Sequence, residues 1–198
     1  MGDVQSLRGM AGLPAVPAPL AKSALVMIDC QNTYLGGAMR LEGVDEAIRV
    51  AAALLDRARR EGAHIIHIRH DDGPGSLYDL TAKIGQIADP VVPQPGETVI
   101  DKAWPSAFEG TPLDEELKRR GVTDLVYAGF MTHMCINSTA RAGFNRGYAG
   151  TVVAAATATR ALPNPLGGVI PAAAVHTAAL AALNDLFAIV VPGPDGVP

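Results

Sequence analysis

Only two cysteines, Cys30 and Cys135, occur in 198 residues. A disulfide framework needs more thiols in a shorter chain, so both are expected as reduced thiols of a cytoplasmic protein. No apolar run reaches ~18 residues without a charged or polar break, which argues against a transmembrane span. No charged stretch followed by an apolar run and a small-residue cleavage site opens the chain, so a secretory leader is not expected. Charge of a single sign is lacking as well. Charged residues make up 18% with a formal net charge of −4 and the signs interspersed. That leaves neither a nucleic-acid footprint nor a surface for anionic membranes. Repeats and low-complexity tracts are absent. No G-x-G-x-x-G follows the first apolar run and no Walker-type loop occurs, which disfavours a dinucleotide or nucleotide enzyme. The expected partner is a small molecule.

What is present is 48% hydrophobic residues, enough for one large domain with a sizeable core. Residues 1–22 carry Pro14, Pro17 and Pro19 among small residues and are expected to form an irregular arm before a single domain over 23–198. Ala24–Ile28 is a short apolar run ending abruptly at Asp29, the pattern of a buried strand with a polar tip. Val44, Ile48, Ala51, Leu55 and Ala58 form one helical stripe, and Gly62 is the stop. Strands are expected at Ala63–Ile68, Thr98–Ile100, Leu125–Ala128, Thr151–Ala155 and Phe187–Val191. A helix with Thr111 as cap, Pro112 at its first position and Asp114 completing a capping box ends at Gly121. Further helices are expected from about His133 to Tyr148 and from about Pro171, with loops at Asp71–Ser76 and Leu162–Gly168. Strands alternating with helices predict an α/β fold: a mostly parallel sheet with helices on both faces. Ligands of such folds bind beyond the carboxyl ends of the strands.

Asp29, Lys102 and Cys135 each follow an expected strand end. An isolated cysteine is more often a packing residue, an isolated lysine is usually solvated, and an aspartate at a strand tip often caps a turn. Three such groups at three strand tips is the arrangement an active site requires. A thiol in the first turn of a helix has its thiolate stabilised by the dipole. A desolvated carboxylate has a raised pKa suited to taking the thiol proton. A lysine between the two would hold both anions.

Three motifs carry a family resemblance. Ala24–Asn32 (ALVMIDCQN) resembles the first-strand motif of isochorismatase-like hydrolases. Lys102–Phe108 (KAWPSAF) resembles their lysine motif, and Gly129–Ile136 (GFMTHMCI) with Thr139–Arg141 their nucleophile motif. Ala156–Arg160 and the Val175–His176 segment are similar to the family's C-terminal part, so the resemblance runs from about residue 23 to 191. It implies a three-layer, Rossmann-like doubly wound sheet and an Asp29–Lys102–Cys135 triad cleaving a C–N bond through an acyl-thioester. It also implies an oxyanion hole of the Met131 and Cys135 backbone N–H groups, a cis Phe130–Met131 bond, and a homo-oligomer. Cys135 argues against vinyl-ether cleavage, because true isochorismatases do not use the cysteine.

No cofactor is expected. Nicotinamidases of this family carry an Asp-x-His pair and a further histidine that bind a metal, but here His64, His67 and His70 lie three apart on a strand and alternate faces. No metal site is therefore expected, although His70, past the strand end, is a candidate substrate contact. Gln31, Tyr34, Trp104 and Phe108 are the other candidate pocket residues; aromatic residues near strand tips are as often core. His133 is a rival base whose ring is expected to point elsewhere, and Cys30 is expected to pack on the opposite side. A catalytically idle member of the fold and a Cys30–Cys135 redox protein are the alternatives, the latter without a Cys-x-x-Cys spacing.

Overall fold

An uninterrupted apolar run has no wet face to offer, so it must be covered on both sides. Ala24–Ile28 is such a run and forms β1, buried at every position. The computed structural model describes residues 4–198, so residues 1–3 of the expected arm lie outside the described residues. The sheet contains β1, β2 (His64–His70), β3 (Thr98–Lys102), β4 (Asp124–Phe130), β5 (Ala149–Ala158) and β8 (Ala188–Val191). Its order is β3-β2-β1-β4-β5-β8, and all five pairings are parallel. Two short antiparallel strands, β6 (Leu162–Pro163) at the start of the segment expected to be a loop and β7 (Val169–Ile170) just past its end, form a separate hairpin.

Alternate side chains of β1 enter two cores. Leu25 and Met27 pack with the stripe of α2 (Val44–Glu61), while Val26 and Ile28 pack with residues of α3 (Leu113–Arg119), α4 (Asn137–Asn145) and α5 (Ala172–Asp185). Helix α2 occupies the range its apolar period defines, and Gly62 ends it in the left-handed conformation at φ 70°. The sheet is thus the middle of three layers, as expected.

Several expectations need correction at their edges. Strands β2 and β3 run on to His70 and Lys102, and β4 and β5 to Phe130 and Ala158. The apolar pattern stops earlier because ladder hydrogen bonds belong to the backbone and do not require an apolar side chain. Lys102 is therefore the last residue of a strand, not a residue beyond it. Helix α3 starts at Leu113 with Pro112 at the cap. Thr111 lies one residue further out, where its hydroxyl accepts from the Leu113 N–H at 3.3 Å. The nucleophile segment opens as a π-helical turn, Thr132–Ile136, before α4 begins. The arm includes a four-residue helix, α1 (Leu7–Met10), tied to α5 by the Leu7 N–H donating to Asp185 Oδ1 at 2.9 Å.

The strand order reverses between β1 and β4, which places a crevice at their carboxyl ends. There Gly129 pairs with Ile28 at φ 117°, and a Cβ on it would lie 1.9 Å from the Ile28 carbonyl oxygen. One residue further on, the Phe130–Met131 peptide bond is cis. Gly129→Ala is expected to lose at least about 2 kcal/mol of stability, because both backbone conformation and space forbid a side chain. Chemical denaturation checks this; an unchanged midpoint would contradict the close approach.

Candidate active site

The carboxyl ends of β1, β3 and β4 bring three reactive groups together. Asp29 leaves β1 with a left-handed backbone, φ 49°, a conformation aspartate tolerates better than most residues. Its N–H still donates to the Ile68 carbonyl on β2 at 3.0 Å, so the tip is held while the chain turns. Its carboxylate has no exposure, and Oδ2 lies 2.8 Å from Lys102 Nζ, whose side chain is equally buried. Lys102 Nζ also donates to Cys135 Sγ at 3.4 Å.

Cys135 is fixed by what flanks it. Thr132 Oγ1 bonds His176 Nδ1 on α5 at 3.0 Å, and His133 Nδ1 bonds Thr159 Oγ1 just past β5 at 2.5 Å. His133 is thereby turned to β5, as its place in a tight turn predicts. The N–H groups of Met134 and Ile136 both donate to the Met131 carbonyl.

Burial dominates the electrostatics. Desolvation raises the pKa of Asp29, with Lys102 pulling the other way. Burial tends to lower Lys102, but the charges of Asp29 and Cys135 outweigh it, and the ammonium is held above its usual range. Desolvation, then the Asp29 charge, pushes the Cys135 thiol up despite Lys102. Burial thus works against the thiolate that a helix start would favour.

The pocket candidates fall in different places. His70 joins the cluster, its Nδ1 3.0 Å from Lys102 Nζ and its Nε2 3.1 Å from Asp72 Oδ1. Tyr34 is buried beneath the site, and its hydroxyl lies 3.1 Å from that of Tyr78. Gln31 is also buried, but its amide is spent on the backbone: it donates to the carbonyls of His70 and Gly85 and accepts from the His70 N–H. Phe108 is a core residue stacked on Tyr148, and Trp104 is 60% exposed. Sequence reasoning missed Tyr78, whose ring sits 4.6 Å from that of His70, and the roles of Thr159 and His176. Tyr78 lies in a loop with no periodic signal. Cys30 packs in the α2 core and Cys135 in the opposite one, and both are free thiols.

The three histidines of β2 part company as the strand geometry requires. His64 faces Glu116 of α3, while His67 is buried against Glu97, which also pairs with Arg59 of α2. Asp29, His70 and Cys135 do present ligand-type atoms within 4.8 Å of one another. The Lys102 ammonium already contacts all three, so a metal ion would have to displace it. Activity is expected to survive exhaustive chelation. Stoichiometric zinc or iron whose removal abolishes turnover would overturn this.

Comparison with known proteins establishes the family. The isochorismatase domain model matches residues 23–194, and the chain belongs to the isochorismatase family of hydrolases. A crystal structure of an isochorismatase from Pseudomonas putida superposes with a TM-score of 0.94 at 39% identity, covering 99% of this chain and 100% of that one. A secreted isochorismatase effector of Verticillium dahliae is 32% identical over 97% of this chain and 99% of its own length. A streptothricin hydrolase of Streptomyces noursei is 33% identical, covering 94% of this chain and 76% of that protein. A ureidoacrylate amidohydrolase of Methylobacterium radiotolerans is also 33% identical, covering 93% and 83%. No helix among the described residues is long and apolar enough to cross a membrane.

Proposed function

We propose that this protein is a cysteine hydrolase that cleaves a C–N bond in a small amide, carbamoyl or lactam compound. The observation that carries the reading is the buried contact series Asp29 Oδ2–Lys102 Nζ–Cys135 Sγ, at 2.8 and 3.4 Å. A carboxylate and a thiol that both resist ionisation in a dry site, with one fixed ammonium between them, are suited to passing a single proton.

In this reading Cys135 Sγ attacks the substrate carbonyl carbon as Asp29 takes the thiol proton. The N–H groups of Met131 and Cys135 receive the oxyanion. Asp29 then protonates the departing nitrogen, the C–N bond breaks, and a thioester remains on Cys135. A water molecule, deprotonated by Asp29, attacks that thioester, and the carboxylic or carbamic acid leaves with the thiol restored. Lys102 stays charged and offsets the negative charge as it moves between carboxylate and sulfur. His70, Tyr34 and Tyr78 border the reacting groups, and Trp104 is proposed to meet substrate at the exposed rim.

Two relatives, named a ureidoacrylate amidohydrolase and a streptothricin hydrolase, support the reaction class. The setting proposed is cytoplasmic, on the strength of two free, buried thiols. The test of function is a panel of amides, ureas and lactams scored by ammonia or amine release. A substrate that gives a thioester adduct on Cys135 by mass spectrometry supports the reading; turnover of vinyl ethers alone would replace it.

A further inference from the structure

Lys102 stands at the end of β3, and Asp29 follows β1, with β2 between them. Strands lie ~4.8 Å apart, so the lysine must reach across roughly 10 Å to serve β1. A long flexible side chain making that crossing loses rotamer freedom and needs fixed acceptors on the way. The residue it crosses is His70, its register partner on β2.

An ammonium has three N–H donors. Lys102 Nζ lies 2.8 Å from Asp29 Oδ2 as an ion pair, and it donates to His70 Nδ1 at 3.0 Å and Cys135 Sγ at 3.4 Å. Because an ammonium only donates, the Nδ1 that faces it must accept, and the ring proton must sit on Nε2. There it meets Asp72 Oδ1 at 3.1 Å. The ring itself is held from three sides. Gln31 clamps the His70 backbone at both its N–H and its carbonyl, Tyr78 packs on the ring, and Asp72 fixes the Nε2 end.

We propose that His70, as the neutral Nε2–H tautomer, is a positioning residue: it supplies the third acceptor that holds the Lys102 ammonium between Asp29 and Cys135. Gln31 and Asp72 act through it, the first setting its backbone and the second its tautomer. This reassigns His70 from substrate contact to support of the lysine, and it rests on the Asp–Lys–Cys reading above.

The experiment compares wild type, His70→Asn and His70→Leu by the rate of Cys135 alkylation with iodoacetamide across pH, together with kcat and KM on a substrate from the panel. Asparagine puts an acceptor where Nδ1 lies, and leucine fills similar space with none. His70→Leu is expected to slow Cys135 alkylation at neutral pH and to lower kcat, each by about tenfold or more, as loss of a hydrogen bond to a charged group predicts. KM should change little, and His70→Asn should recover most of both rates. Circular dichroism and thermal melting establish that the variants are folded. If His70→Leu alkylates with the wild-type pH profile while wild-type Cys135 still forms the acyl adduct, the positioning role is wrong and the triad stands. A leucine variant that raises KM alone makes His70 a substrate contact and also overturns the proposal. If Cys135 of the wild type forms no adduct, it is the triad reading that has failed.

Discussion

Cys135→Ala is expected to abolish turnover, by a factor on the order of 10⁴ or more, while the protein folds as before. The thiol is 4% exposed and sits in a turn whose geometry is set by its neighbours, not by the sulfur. The Thr132–His176 and His133–Thr159 bonds both survive its removal. Alanine leaves only a sulfur-sized gap, so the stability loss should be small beside the loss of chemistry. Cys135→Ser adds a sharper distinction. A hydroxyl in the same position is a far weaker acid than a thiol, so the same Asp29 base deprotonates it poorly. Substrate should still bind and acylation should nearly stop. Steady-state kinetics on the substrate found by the panel, with intact-protein mass spectrometry, provide the check. Activity of Cys135→Ala within about tenfold of wild type would sink the covalent mechanism.

The second large effect is expected at the ion pair, and it separates stability from catalysis. Asp29 and Lys102 have no side-chain exposure, so removing either partner strands a charge in a dry site. Such an orphaned charge costs about 3–5 kcal/mol, and replacing both partners is often nearly neutral. Lys102→Met and Asp29→Asn should each melt well below wild type and lose about 10³-fold or more in kcat, since proton transfer and its counter-charge are both disrupted. The double variant Asp29→Asn/Lys102→Met should regain much of the stability and none of the activity. A double variant that melts no higher than the worse single one would show that the two charges do not act as a pair. A single variant with near-normal kcat would remove that residue from the chemistry.

What could be read from the chain depended on how local the physics was. The bounds of β1 and α2 follow from runs of side chains that sort by face within one element, and Gly62 carries its own stop signal. Asp29 was visible because it marks the point where an apolar run ends, and Lys102 and Cys135 because they follow expected strands within motifs that resemble a family's. The contacts that tie them together were not visible. His70 reaches Lys102 only because β2 and β3 pair in one particular register, and register depends on the whole sheet. Thr132 and His176 are 44 residues apart, and His133 and Thr159 are 26 apart; neither pair shares an element. Gln31 was a reasonable pocket candidate beside Asp29, but its amide closes backbone bonds of a neighbouring strand and a loop that no periodicity could fold. Phe108 and Trp104 sit four residues apart in one motif and meet opposite fates, one stacked in the core and one in solvent.

The sheet that places Cys30 in one core and Cys135 in the other also decides how the enzyme would fare under peroxide. Oxidation of Cys135 would give a sulfenic acid, and the usual rescue is attack by a second thiol of the same chain to form a disulfide. Here the two side chains pack in cores on opposite sides of the sheet, so Cys30 is not placed as a resolving thiol. An oxidised Cys135 would therefore wait for a small external thiol to enter the site, or proceed to the sulfinic acid and stay there.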